Sequence, residues 1–219
     1  MARVTLSHPG KLNAMSRAMW RQLRDAAHAV RARTDVRCVV LQGEGGAFCA
    51  GGDIAEYPAF RFDETRLRDF HERDVWGGLQ ALLECDVPLV AQIEGACMGA
   101  GLELASCCDI RIAGESATFG APIARLGFPM APRELQLVTH AAGELTVREM
   151  LLEAAVLDAS NAALGSAAAG VDLARATLAA READARTLSQ EARYSDAVLS
   201  NTRVAAPMEA VVVQRMAEV

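Results

Sequence analysis

The chain has 219 residues, of which 52% are hydrophobic, so it is long enough to bury a substantial core without disulfide or metal support. No uninterrupted apolar run reaches the roughly 18 residues that a membrane-spanning helix needs, so no membrane association is predicted. A net charge of −6 and a pI near 5.3 exclude the basic surface that nucleic-acid binding requires. The arginines at positions 17, 21, 24, 31 and 33 are expected to form a solvated face.

The six cysteines show no C-x-x-C pairing, so the sequence suggests neither a zinc site nor a disulfide framework. They lie in apolar segments and are predicted to be small buried hydrophobic residues. Free thiols suit a reducing compartment, and no signal peptide is visible at the N-terminus. The expected location is therefore the cytoplasm.

The first elements along the chain alternate between strand and helix patterns. Val4 to Leu6 predict the end of a strand, and Ser16 is a candidate cap for a helix. Residues 38–41 form a short apolar run typical of a parallel strand covered on both faces. The helix after Ser16 is predicted from apolar residues at helical spacing, namely Met19, Leu23, Ala27 and Val30.

The middle of the chain repeats this order. A long helix is predicted over residues 67–84, strands over 87–93 and 110–113, and further helices over 131–142 and 146–157. Repetition of strand, glycine turn and helix predicts an α/β fold with helices outside stacked sheets. We expect a core domain over residues 1–157 and a helical segment over 158–219 that packs on the core or on a neighbouring subunit.

Two strands are predicted to run into glycine turns, at residues 48–54 and 95–101. The second turn enters an apolar helix that carries Glu103. Backbone N–H groups at such a helix start lie uncovered and can face a developing negative charge. An apolar cleft would raise the pKa of Glu103 toward that of a useful base. The alternative is that the glycines of both turns serve packing alone.

Two motifs and two shorter stretches of the chain form one pattern. Residues 48–54 read F-C-A-G-G-D-I, and residues 95–105 read G-A-C-M-G-A-G-L-E-L-A. Together with residues 12–14 and 117–122, in this order and spacing, they resemble the enoyl-CoA hydratase/isomerase family of the crotonase superfamily. The resemblance covers about residues 2–157. It implies a crotonase-like spiral of repeated ββα units with C-terminal helices.

The resemblance also implies the main parts of a site. Two backbone N–H groups, those of Gly52 and Ala100, would form an oxyanion hole for a coenzyme A thioester. The implied substrate is an acyl-CoA, with no separate cofactor or metal, and the implied assembly is a homotrimer or a dimer of trimers. Lys11 is either a phosphate ligand or an exposed lysine, and Asp53 more readily fixes the turn than touches substrate. Coenzyme A would lie along Lys11, Leu12, Ala50, Gly52, Asp53, Ile54 and Gly99.

The sequence contains only one of the two acid/base residues that the resemblance leads us to expect. Hydratases of this family commonly use two glutamates, and Glu103 matches the first, whereas Ile123 stands where the second is expected. Glu134 is a backup candidate, although an acid at a helix start is more often structural.

Other titratable residues carry less information. His71 and Tyr57 are candidates to line the acyl pocket, and Asp109 and His140 are expected to be structural.

Three functions follow. Hydration of a 2-enoyl-CoA leads by family frequency, while Ile123 favours a double-bond isomerase that needs a single base. The alternative from a different functional class is a catalytically weak acyl-CoA-binding or assembly protein.

Overall fold

The first sheet of the protein has four parallel strands. The computed structural model describes residues 1–127 and 129–162. Within them β1 (Ala2–Leu6), β2 (Val39–Gly43), β3 (Leu89–Ile93) and β5 (Ile110–Ala113) lie side by side in the order β1-β2-β3-β5. Each crossover between neighbouring strands passes through at least one further strand or helix, as parallel pairing requires.

A second, smaller sheet carries the segments that follow these strands. It contains β4 (Ala96–Met98), β6 (Thr118–Gly120) and β7 (Val156–Asp158), with β4 parallel and β7 antiparallel to β6. Single bridges from Cys49 to Cys97 and from Met15 to Gly52 extend the same layer. Each turn of the chain thus adds a strand to the first sheet, an extended segment to the second layer and then a helix.

The helices begin at residues that the sequence marks. Ser16 caps α1 by accepting the N–H of Met19 at 3.2 Å. The long helix predicted for residues 67–84 forms as three consecutive pieces, the middle one a π-helix over Phe70–Val75. The helices are α1 (Arg17–Arg31), α2 (Glu64–Asp69), α3 (Trp76–Leu83), α4 (Ala100–Ser106), α5 (Pro132–Ala142) and α6 (Glu144–Leu152), with short 3-10 helices at Tyr57–Ala59 and Ile123–Arg125.

The core lies between the first sheet and the helices, with α1 packed against both α3 and β1. Trp20, Phe48 and Leu79 are among its fully buried side chains. Cys49 and Cys97 lie against each other in the second layer and are buried, and all six cysteines are free thiols. Four of the six are buried, while Cys38 and Cys85 are half-buried, so the predicted role of small buried hydrophobes holds for most of them.

The prediction of a helix over residues 146–157 is wrong at its C-terminal end. The helix α6 stops at Leu152, and Ala154 adopts a left-handed backbone with φ of 54°. Its successor Ala155 donates its N–H back to the carbonyl of Glu149, after which β7 pairs with β6. Helical spacing of apolar residues could not distinguish this short strand from another helical turn, because three residues fit either period.

The predicted solvated arginine face holds for the exposed Arg21 and is wrong for Arg17, which is half-buried. Both form ion pairs with the buried carboxylate of Asp74 on the π-helix, at 2.6 Å and 2.8 Å. Arg33 lies beyond the end of α1 and pairs with Asp35.

No helix among residues 1–127 and 129–162 is long and apolar enough to cross a membrane. The same residues contain no cluster of three or more His, Cys, Asp or Glu side chains that could hold a metal ion. The C-terminal segment predicted after residue 158 lies outside the described residues from position 163 onward.

Candidate active site

The first glycine turn leaves one backbone N–H unused. Met15 donates its N–H to the carbonyl of Gly51 at 2.7 Å and accepts the N–H of Asp53 at 2.9 Å. This bridge uses the peptide groups on both sides of Gly52 and leaves out the N–H of Gly52 itself. Within the described part of the chain that N–H has no acceptor. Gly51 has φ of +111°, a backbone conformation that favours glycine.

Asp53 fixes this turn, as the sequence predicts. Its buried carboxylate accepts the N–H of Ala55 at 3.2 Å and binds the ammonium of Lys11 at 2.6 Å. The hydrogen bond from Lys11 holds the pKa of Asp53 below its ordinary value. Lys11 is therefore a structural partner of the turn, and its ammonium retains two further donors for another anion.

The second glycine turn starts α4. Gly99 has φ of +47° and ψ of −106°, which a residue with a side chain rarely adopts. Gly101 serves packing, since an added Cβ would lie 2.7 Å from the carbonyl oxygen of Cys49. The N–H of Ala100, between them, has no acceptor among residues 1–127 and 129–162.

The two turns meet at one cavity. A Cβ added at Gly99 would lie 3.8 Å from the Cα of Gly51, so the turns are in contact. The cavity has a volume of about 490 Å³ and a mainly apolar wall. Its lining includes both Gly52 and Ala100, whose N–H groups the resemblance assigns to an oxyanion hole. The other predicted site residues on its wall are Lys11, Ala50, Asp53, Ile54, Gly99, Glu103, Ile123, Glu134, Tyr57 and His71.

Glu103 lies in the first turn of α4, is half-buried and lines this cavity. Burial, together with the negative charge of Glu134, raises its pKa to about 8. At neutral pH the carboxyl of Glu103 therefore carries a proton. The direction of the shift agrees with the sequence analysis.

Glu134 lies in the first turn of α5 but is only 4% exposed and faces the same cavity. The interpretation of Glu134 as merely a helix N-terminal acid is incomplete, because the start of α5 covers the cavity. Its neighbour Arg133 holds this end of α5 in place by pairing with Glu72 and by lying 4.6 Å from the ring centre of Trp76. The sequence offered one signal, the Pro132 that starts the helix, but nothing in it indicated where the helix would lie.

Ile123 occupies the wall at the start of the 3-10 helix Ile123–Arg125. A side chain that cannot transfer a proton thus stands where the resemblance expects the second carboxylate. Glu134 brings a carboxylate to the same cavity from the following helix.

Tyr57 and His71, the two residues predicted to line the acyl pocket, both lie on the cavity wall. Tyr57 packs against Phe60 and Phe70 with ring centres 5.5 Å and 5.7 Å apart, and its hydroxyl lies so close to Gly52 that an added Cβ there would collide with it. Burial raises the pKa of the Tyr57 phenol to about 12. His71 lies on the π-helix, and burial lowers its pKa.

Three other candidates lie off the cavity wall. Leu12 is 58% exposed and contributes its backbone, whose carbonyl accepts the N–H of Ala50 at 3.0 Å. Asp109 accepts the N–H of Leu89 at 2.8 Å and joins two strands, which is the structural role predicted for it. His140 is exposed on α5.

A spiral of ββα units with two glycine turns meeting at an apolar cavity defines the crotonase class of α/β folds. A family model described as enoyl-CoA hydratase/isomerase matches residues 1–166. The chain therefore belongs to the enoyl-CoA hydratase/isomerase family.

Individual relatives agree with this assignment. A probable enoyl-CoA hydratase of Mycobacterium leprae is 32% identical over 190 residues, which is 87% of this chain and 72% of the relative. One from Mycobacterium tuberculosis is 35% identical, over 74% of this chain and 62% of that protein. The chain thus spans about two thirds of the length of these relatives.

Solved structures share the fold. The crystal structure of an enoyl-CoA hydratase/carnithine racemase from Magnetospirillum magneticum superposes with a TM-score of 0.72 at 30% identity, covering 94% of this chain and 79% of that one. Pseudomonas aeruginosa AtuE gives a TM-score of 0.69 at 36% identity over 75% of this chain and 63% of that chain.

Proposed function

We propose that the protein hydrates a 2-enoyl-CoA through a thioester enolate. The observation that carries this proposal is that two carboxylates, the half-buried Glu103 and the buried Glu134, line the cavity that also holds the N–H groups of Gly52 and Ala100. Hydration needs an acid, a base and a site for an oxyanion, and these four residues supply all three.

In this proposal the N–H groups of Gly52 and Ala100 bind the thioester oxygen as it gains negative charge. Each such donor is typically worth about 10²–10³-fold in rate, because it is already oriented where the charge develops. Glycine and alanine leave room for the thioester beside the donors. The close approach of the two turns supports a shared acceptor.

The two carboxylates would divide the proton transfers. Water forms a bond to the β-carbon and gives a proton to one carboxylate, while the double-bond electrons move into the enolate; the second carboxyl then protonates the α-carbon. The charge of Glu134 contributes to the raised pKa of Glu103. With its raised pKa, Glu103 would supply the acid, and Glu134 would serve as the base.

A double-bond isomerase is the second candidate, and Ile123 favours it. Removing a proton at one carbon and returning it at another needs a single base. Crotonyl-CoA hydration and 3-enoyl-CoA isomerisation should be assayed side by side on the wild type, Glu103→Gln and Glu134→Gln, with the exposed Glu153→Gln as the control. Loss of hydration by about 10²-fold or more in both cavity variants is expected. Hydration that survives Glu103→Gln contradicts the proposal, and isomerisation that survives only Glu134→Gln supports the single-base reaction.

The non-enzymatic candidate is a protein that binds acyl-CoA without useful catalysis. Calorimetric binding of several acyl-CoAs with no turnover of any would favour it. Exchange of the α-proton for deuterium in a bound thioester would argue for an enzyme. A homotrimeric or hexameric assembly and a cytoplasmic location stay predictions, with sedimentation and fractionation as their measurements.

A further inference from the structure

His71 carries a polar atom that the fold does not use. Its Nδ1 is buried and has no hydrogen-bond partner among the described residues. Buried polar atoms are nearly always paired, and leaving one unpaired costs about 1–3 kcal/mol. The exception belongs to a residue of the cavity wall, which packs on Phe70 and feels the charge of Glu134.

The ring of His71 packs against Phe70, which lies edge-on to it with ring centres 5.2 Å apart. A half-turn about the Cβ–Cγ bond exchanges Nδ1 with a ring carbon, and no protein hydrogen bond holds Nδ1 within residues 1–127 and 129–162. A polar group of a ligand in the cavity can therefore recruit a ring nitrogen without breaking a bond in the fold.

The surroundings restrict which ligand group fits. The cavity wall to which His71 belongs is mainly apolar, and Trp20, Val75 and Leu126 are also part of it. The negative charge of Glu134 lies on the same cavity wall, so an anionic group of a ligand would be repelled. Burial lowers the pKa of His71, and a neutral imidazole offers one donor and one acceptor. An uncharged oxygen satisfies these conditions.

We propose that His71 makes the acyl end of this cavity selective for acyl groups that carry an uncharged oxygen substituent, a hydroxyl or a ketone, beyond the β-carbon. The inference rests on the proposed function, because it names the substrate class of the same site. A site built to hydrogen-bond such an oxygen discriminates against the plain hydrocarbon, since the hydrocarbon leaves the buried nitrogen unpaired.

Binding of saturated thioesters tests the inference apart from catalysis, because they cannot be hydrated. Calorimetry should compare hexanoyl-CoA with six-carbon acyl-CoAs that carry a hydroxyl or ketone at carbon 4, 5 or 6. At least one substituted ligand is expected to bind about tenfold more tightly than hexanoyl-CoA. This preference should vanish in His71→Phe, persist in part in His71→Asn, and stay unchanged in His28→Phe, a control on the exposed face of α1.

Two results would overturn the inference: equal or weaker binding of every substituted ligand by the wild type, or a preference that survives His71→Phe. A spectroscopic measurement on the wild type covers the case in which the variants fold poorly. The ring ¹⁵N signals of His71 should shift with the preferred ligand and not with hexanoyl-CoA, and identical spectra would also overturn it. Absence of crotonyl-CoA hydration would count against the proposed function alone.

Discussion

The carboxyl of Glu103 makes stability depend on pH in a predictable direction. Its pKa is about 8 in the folded protein and the ordinary value is 4.5, so between these values the folded state keeps a proton that the unfolded state has released. The free energy of unfolding therefore falls as pH rises through this window, by about 3–5 kcal/mol at most. Glu103→Gln should remove this part of the pH dependence.

Urea denaturation at about pH 5 and pH 8 measures the effect on wild type, Glu103→Gln and Glu153→Gln. Glu153 is exposed, so its variant should follow the wild type. The same loss of stability in Glu103→Gln as in the wild type would show that Glu103 does not titrate as proposed.

Gly52 is the second residue whose chemistry can be tested alone. A Cβ at this position would collide with the hydroxyl of Tyr57, so Gly52→Ala should displace the turn that presents the N–H. A loss of about 10²-fold in kcat/KM for enoyl-CoA hydration is expected, as for removal of one oxyanion donor. The collision should also lower the melting temperature of Gly52→Ala. The double variant Gly52→Ala/Tyr57→Phe lacks the obstructing oxygen, so its melting temperature should lie between those of Gly52→Ala and the wild type.

Gly77→Ala is the matched control for that substitution. The added Cβ at Gly77 meets no atom closer than 3.8 Å and lies in α3, so neither the activity nor the fold should suffer. Full activity in Gly52→Ala would mean that its N–H does not contact the thioester oxygen.

The π-helix between α2 and α3 is held by one buried carboxylate. Asp74 is 3% exposed and binds Arg17 and Arg21 of α1. Burial alone would raise its pKa, but the hydrogen bonds from the two arginines bring it below the ordinary value of 3.8. Its contribution to stability is therefore present above pH 3.8 and is lost as pH falls through the lower folded pKa.

Asp74→Asn should lower the free energy of unfolding by about 2–3 kcal/mol, because two arginines then lose a buried partner while remaining partly exposed themselves. The exposed Asp25→Asn on α1 is the control and should cost little. Denaturation at neutral pH measures both variants. Equal stability of the two would show that this ion-pair cluster does not hold the π-helix against α1.

Helical periodicity located the long helix but not the π-helix within it. The pattern Leu67, Phe70, Val75, Leu79, Leu82 fits one apolar stripe, and the extra residue of a π-turn is absorbed between Phe70 and Val75. The consequence is local but functional, because the altered register places His71 on the cavity wall. In this register Asp74 pairs with Arg17 and Arg21 of α1. The local sequence does not indicate a contact between segments so far apart in the chain.

At the scale of the molecule, the two glycine turns and Glu103 were predictable because each depends on adjacent residues. The backbone of Gly99 and the close packing of Gly101 require glycine, so their spacing is visible in the sequence. The burial of Glu134 was not predictable. It depends on the position of α5, whose start lies at the cavity together with Pro129, Met130 and Ala131. The sequence therefore indicates the two turns, which form within single segments, and names Glu134 as a backup candidate without indicating the burial that it gains between segments.

The whole protein should respond to ligands that mimic the enolate. A ligand bound only by the folded state at 100 times its Kd stabilises it by about 2.7 kcal/mol, which raises Tm by roughly 5–10 °C for a chain of this length. A 3-ketoacyl-CoA, whose enolate places negative charge on the thioester oxygen, should give a larger shift than a saturated acyl-CoA of equal length at equal concentration, because transition-state mimics bind more tightly. The difference should disappear in Gly52→Ala and persist in Gly77→Ala, since only the first disturbs the N–H that faces the charge. Equal shifts from the two ligands in the wild type would mean that the two turns recognise the thioester without stabilising its enolate.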